Sequence, residues 1–147
     1  MSKFLNKLLF LNIFISLNLF GQEFSAMTLN VNNLFDTLDD ASKDDKAYLP
    51  IEAKQSSKHK KSCNRITVKS WKNECLYLDW DKETKNAKLD NLVASIVSYN
   101  NNGPDILALQ EVENNNILNQ LFKRLKPYGY IDTKLIEGKD FRGIDTA

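Results

Sequence analysis

Between residues 82 and 99 the apolar side chains Leu89, Leu92, Val93, Ile96 and Val97 recur at three- and four-residue intervals, the period of a helix that lays one face on a core. Asn100, Gly103 and Pro104 stop it. The run Ile106, Leu107, Ala108, Leu109 has strand length, with those breakers before it and polar residues after it, and predicts a buried strand. A second helix is expected over residues 115–125, with Ile117, Leu118, Leu121, Phe122 and Leu125 inward and an asparagine as N-cap. Pro127 and Gly129 end it. Residues 27–35, MTLNVNNLF, read as an earlier strand, residues 130–136 as a later one, and 140–147, DFRGIDTA, as a new strand beginning after a glycine turn. This order of elements predicts α/β layering.

The stretch 37–74 breaks the pattern. It is rich in Lys, Asp and Ser without long apolar periodicity, and reads as an elaborated loop inserted before the first long helix. Tyr77, Leu78 and Trp80 mark the return to order. Its charge is segregated: Asp36, Asp39, Asp40, Asp44 and Asp45 form an acidic patch, followed by Lys54, Lys58, Lys60, Lys61, Arg65, Lys69 and Lys72 with no acid among them. Such a basic block either tracks phosphates or is a solvated flexible loop balancing its acidic neighbour. The net charge of +1 carries no global nucleic-acid signature.

Residues 8–20, LLFLNIFISLNLF, form an apolar run preceded by Lys3 and Lys7 and followed by small and polar residues, the layout of a bacterial secretory signal. The run is shorter than the roughly 20 residues a transmembrane helix needs, so residues 1–26 are expected to direct export to the periplasm or medium, leaving no membrane anchor after cleavage. Cys63 and Cys75, the only cysteines, agree with export: an oxidising compartment favours a disulfide between them over two free thiols. A loop of that size is worth about 3 kcal/mol in the chain-entropy model. Metal binding there is the weakest alternative, because His59 is the one histidine nearby.

Candidate chemistry begins where the strand PDILALQEVEN ends. Glu111 falls just past the apolar run, at the strand's carboxyl end, where loops diverge and α/β sheets bind ligands. A lone carboxylate there also suits a helix start or a solvent-facing acid. Two other segments give it company: the strand MTLNVNNLF, with Asn30 and the Asn32, Asn33 pair at its exit, and DFRGIDTA, with Asp140, Arg142 and Asp145.

In their order and spacing these three blocks resemble the endonuclease/exonuclease/phosphatase superfamily, whose members include deoxyribonuclease-I-like nucleases, abasic-site exonucleases, neutral sphingomyelinases and inositol polyphosphate phosphatases. The resemblance covers about residues 26–147, about half of that family's domain, so the chain is expected to be its N-terminal part. The implied fold is a four-layer sandwich of two face-to-face β-sheets flanked by helices. The implied activity is metal-dependent hydrolysis of phosphoric esters, which needs a hard cation to neutralise the phosphate and the departing alkoxide.

By that resemblance Glu111 is the metal ligand, with Mg2+ the expected ion and Mn2+ or Ca2+ as alternatives. Asn30 matches the asparagine that hydrogen-bonds a metal water or a phosphate oxygen, although it also suits an ordinary strand end. Arg142 is a candidate phosphate clamp, and Asp145 a further catalytic candidate that faces either the site or solvent. The abasic-site enzymes carry a tyrosine near the third block, where this chain has Phe141. The family's catalytic histidine and aspartate–asparagine pair match nothing in this sequence, and His59, in the lysine-rich loop, reads as a surface histidine. The chain alone is therefore expected to be a poor catalyst. A nuclease acting on DNA or RNA is the leading reading for the complete protein. A lipid or sugar-phosphate phosphoesterase and an inactive remnant are the alternatives.

Overall fold

The computed structural model describes residues 23–40 and 42–147. Most of the expected secretory segment lies outside these residues. Three strands form one sheet in the order β1–β2–β3, with β1 at Ala26–Leu34, β2 at Ile106–Val112 and β3 at Asp145–Thr146. β1 and β2 run parallel, pairing Ala26 with Ile106 through Asn30 with Gln110, and β3 lies antiparallel on the other edge of β2. Parallel strands require a long crossover, and here it contains α1 (Ser57–Cys63), α2 (Lys69–Tyr77) and α3 (Lys82–Val97). Helix α4 (Asn115–Leu125) links β2 to β3 through an irregular segment. Among the described residues no helix is long and apolar enough to cross a membrane.

The two long helices follow the sequence closely because their signals are local. Asp81 caps α3 by accepting from the Thr84 N–H at 2.7 Å, and Asn114 caps α4 by accepting from Ile117 N–H at 3.0 Å. Leu89 and Ile96 of α3 and Ile117, Leu118, Leu121 and Leu125 of α4 are buried with Val31, Leu34, Leu109 and Val112 in one apolar core. A smaller cluster of Phe35, Trp80 and Ile144, with Tyr48 against it, lies beyond the exit of β1.

Four expectations change. Residues 130–136 form no strand; Ile136 makes a single bridge to Thr146, because its neighbour β3 offers only two residues to pair with. Residues 37–74 are not a plain loop: two short 3-10 turns, α1 and α2 are stitched together by the Cys63–Cys75 disulfide, with Cα atoms 5.6 Å apart. Lys54, in the expected phosphate-tracking block, is only 1 % exposed and donates to the carbonyls of Ala47 (2.7 Å), Glu74 (3.1 Å) and Leu78. Its burial lowers the amine's pKa to about 8. Lys58, Lys60, Lys61, Arg65 and Lys69 remain on the solvated face.

His59 is likewise not a surface histidine. It is buried, with Nε2 2.8 Å from the Cys75 carbonyl and 3.2 Å from Cys63 Sγ. Its helix is too short to show an apolar period, and α2, tied to α1 by the disulfide, covers this ring.

Candidate active site

Because β1 and β2 are parallel, their carboxyl ends open at one edge of the sheet. Antiparallel β3 begins at that same edge, so the residues just before it, Asp140 to Gly143, arrive there too. The register breaks at this point. β1 uses four steps from Asn30 to Leu34 where β2 uses two from Gln110 to Val112, and β2 itself bulges opposite the Asp145–Thr146 step.

Glu111 is the residue in the bulge. It belongs to β2 rather than lying beyond it, and its φ of +67° turns the chain there into the left-handed region. Asn32 (φ 54°) and Asn33 (φ 62°) face it with the same conformation, which asparagine tolerates and glutamate rarely adopts. A left-handed glutamate costs on the order of 1–3 kcal/mol, so the surrounding bonds must hold it. They are specific. Glu111 Oε1 accepts from Asn30 Nδ2 at 3.0 Å, Oε2 accepts from the Asn33 N–H at 3.0 Å, and Asn30 Oδ1 accepts from the Asn32 N–H at 2.7 Å. Two candidates 81 residues apart thus share one hydrogen-bonded unit.

Arg142 reaches the same edge from the turn before β3. Its guanidinium is exposed and paired with Asp140, Nη2 to Oδ2 at 2.7 Å and Nε to Oδ1 at 3.1 Å. Hydrogen bonds from Arg142 hold the Asp140 pKa down to about 2. Arg142 also feels the negative field of Glu111, which favours its charge. Gly143 permits the turn, with φ at +73° and Lys43 Cγ only 2.9 Å from where a Cβ would sit. Asp145 joins neither group: it is buried, and Oδ1 accepts from the Gly138 N–H at 2.6 Å, closing the turn.

Two neighbours had no motif to announce them. Tyr48 stacks on Phe35 with ring centroids 4.1 Å apart and meets Trp80 edge-on at 5.5 Å. Burial raises its phenol pKa, the charges of Glu74 and Glu111 add to this, and Asn33 and Arg142 oppose it. Lys88 of α3 donates to the Asn32 carbonyl and lies 5.7 Å from the Trp80 ring; burial lowers its pKa against the pull of Glu111. Tyr48 is an isolated aromatic residue within the polar stretch, and that isolation is the one sequence signal that marks it.

Behind the edge sits a second acidic group. Glu113 Oε2 accepts from the Asp36 N–H at 2.7 Å, and Asp36 in turn accepts from Asn116 Nδ2 at 2.7 Å and Asn114 Nδ2 at 3.2 Å. Burial, reinforced by Asp36, Asp45 and Asp40, pushes the Glu113 pKa up to about 8, and burial raises Asp45 to about 6. The acidic patch read from the sequence is therefore split: Asp36 and Asp45 are interior, whereas Asp39, Asp40 and Asp44 face solvent.

No family model, curated protein or solved structure matches the chain.

The donor set at Glu111 consists of hard oxygens. Each carboxylate oxygen accepts one hydrogen bond and keeps lone-pair capacity, and the Asn30 amide oxygen is adjacent. One carboxylate with neighbouring oxygens suits Mg2+, which keeps several waters and needs one or two protein carboxylates. It does not suit a soft metal. The cluster of His59, Cys63 and Cys75 is the other grouping of metal-ligand types, and its sulfurs are joined in the disulfide.

Proposed function

We propose that the chain supplies the metal- and phosphate-binding part of a secreted, Mg2+-dependent phosphodiesterase of the endonuclease/exonuclease/phosphatase type, acting on nucleic acid. Within that proposal β1–β2–β3 belongs to one sheet of the four-layer sandwich. The observation that carries the reading is the Asn30–Glu111 unit at the shared carboxyl edge of two parallel strands. A strained carboxylate held by an asparagine side chain and a backbone amide is oriented before any ligand arrives.

Glu111 would hold the ion, with Asn30 beside it, and the bound ion would supply charge neutralisation for phosphate and leaving oxygen. Arg142 would pair with a non-bridging phosphate oxygen, held ready for it by Asp140. Asn30 orients Glu111 and offers an amide to the same phosphate. His59 is buried against the Cys75 carbonyl and is not a water-activating base for this edge, so the general base must come from elsewhere in the complete enzyme, and this chain alone turns over poorly. Export belongs to the same proposal, since the Cys63–Cys75 bridge suits an oxidising compartment.

Mn2+ binding followed by electron paramagnetic resonance tests the centre. Glu111→Gln is expected to weaken binding at least 10-fold while leaving the circular dichroism spectrum unchanged; an unaltered affinity removes Glu111 from the site. Substrate is tested with the complete protein: plasmid DNA is expected to be cut in Mg2+ and left intact in EDTA. Cleavage of sphingomyelin with DNA untouched would overturn the nucleic-acid assignment.

A further inference from the structure

Next to the Glu111 edge, and sharing Asn33 and Arg142 with it, is a cleft of about 440 Å³, within the roughly 300–1,000 Å³ range of small-molecule sites. Tyr48, stacked on Phe35, and Ile66 line it. Its walls are Trp71 from α2 and Phe141 from the turn before β3, and these large aromatics are 62 % and 70 % exposed. Leaving two such rings in water forgoes apolar burial, and here both rings line one concavity.

Trp71 is not on a loose loop. It lies one helical turn before Cys75 on α2, so the two side chains share a helix face, and Cys75 is covalently tied to α1. Lys54 fastens the same helix through the Glu74 carbonyl, and the Asp44 N–H donates to the Phe141 carbonyl at 3.0 Å, joining the Phe141 turn to the insertion. The backbone segments that carry the two rings are thus tied in place, which reduces the ordering cost of stacking a flat ligand.

The cleft carries both signs of charge. Arg142 lies within the field of Glu111, and Lys46, Asp44 and Glu74 line the cleft as well, with Lys46 paired to Asp44 at 3.5 Å. A polyanion or an anionic lipid surface would meet those carboxylates. A neutral flat ring attached to a single phosphate would place each part against its complement.

We propose that this cleft is a nucleobase subsite, in which Trp71 and Phe141 stack a base while the attached phosphate lies between Arg142 and Glu111. The inference rests on the phosphodiester reading of that edge and names the recognition element: a base adjoining the bound phosphate. Stacking of one base on an aromatic side chain gives about 5- to 150-fold in affinity.

Calorimetric titration of the chain with adenosine 5′-monophosphate, ribose 5-phosphate and phosphocholine tests it, with quenching of exposed Trp71 as a second readout. The nucleotide is expected to bind about 10-fold more tightly than ribose 5-phosphate and to quench the fluorescence saturably. Trp71→Leu should bring nucleotide binding to the ribose 5-phosphate level without weakening the latter, and Trp71→Phe should restore most of the preference, which a folding defect would not. Equal affinity for nucleotide and sugar phosphate, tighter binding of phosphocholine, or no nucleotide binding overturns the subsite. The two readings fail separately. Loss of Mn2+ binding in Glu111→Gln without base preference leaves the metal centre and removes the subsite, whereas base preference with Mn2+ binding insensitive to Glu111 leaves the subsite and removes the metal ligand.

Discussion

The apolar layer of α3 and α4 on β1 and β2 and the polar insertion of residues 37–74 are held together in opposite ways. The first distributes its stability over many interchangeable contacts among leucine, isoleucine and valine. The second has less apolar packing, chiefly Tyr48 and Leu49, and adds a few specific ties: a disulfide, a buried lysine with three carbonyl partners, and the Asp44 to Phe141 bond. The candidate site lies on the seam between them. Its carboxylate comes from the layered core, while Tyr48 and Trp71 come from the insertion. Scaffold and cleft are thereby built by different physics, and damage to one should be separable from damage to the other.

Leu89→Ala tests the core side of this contrast with the largest expected effect. The side chain is fully buried, and its loss should cost about 3 kcal/mol and lower the thermal midpoint of the whole chain, as read by circular dichroism. A loss confined to residues 37–74 would show that the two regions are not divided as described. Replacing both Cys63 and Cys75 by alanine should cost up to about 3 kcal/mol, but locally. Hydrogen exchange is expected to accelerate in α1 and α2 while β1, β2, α3 and α4 keep their protection; uniform acceleration would mean that the insertion supports the core.

Glu113 gives the most pH-specific effect. Its carboxyl keeps its proton in the folded state up to about pH 8 and in the unfolded chain only to about 4.5, so folding stability contributed by this group falls as pH rises across that interval. Asp45, raised from 3.8 to about 6, acts in the same direction at lower pH. Glu113→Gln keeps an oxygen for the Asp36 N–H and removes the charge. At pH 9 the variant should melt a few degrees above the wild type, and at pH 4 the two should coincide. Equal midpoints at both pH values would mean that Glu113 is ionised in the fold and its charge is compensated.

How much was legible follows from the range of the interactions. α4 begins at Asn115 and ends at Leu125 because its cap, its apolar stripe and Pro127 all lie within a few residues of one another. The resemblance of ordered motifs named Asn30 and Glu111 as candidates for one site, with Asn30 bonded to a metal water or a phosphate; the direct bond between their side chains was not expected, and no periodicity implied it. The strand expected at 130–136 failed because a strand exists only with a partner, and partner length is not a local property. His59 and Lys54 read as surface residues because their neighbours in sequence are polar; several of the groups that bury them, the carbonyls of Glu74, Cys75 and Leu78, arrive from 16 to 24 positions away.

Sequence alone determined the α/β order, the two long helices with their caps, the polar character of the insertion and the identity of the candidate groups Asn30, Glu111 and Arg142. Tertiary structure decided how they are arranged: the bulge that turns Glu111 toward Asn30 and Asn33, the Asp140 partner that holds Arg142, the Gly138 turn that takes up Asp145, and the aromatic cleft beside them. The reason is one of distance along the chain. Caps and periods act within a few residues, whereas register, burial and electrostatic shifts depend on groups that meet only after the crossover has closed.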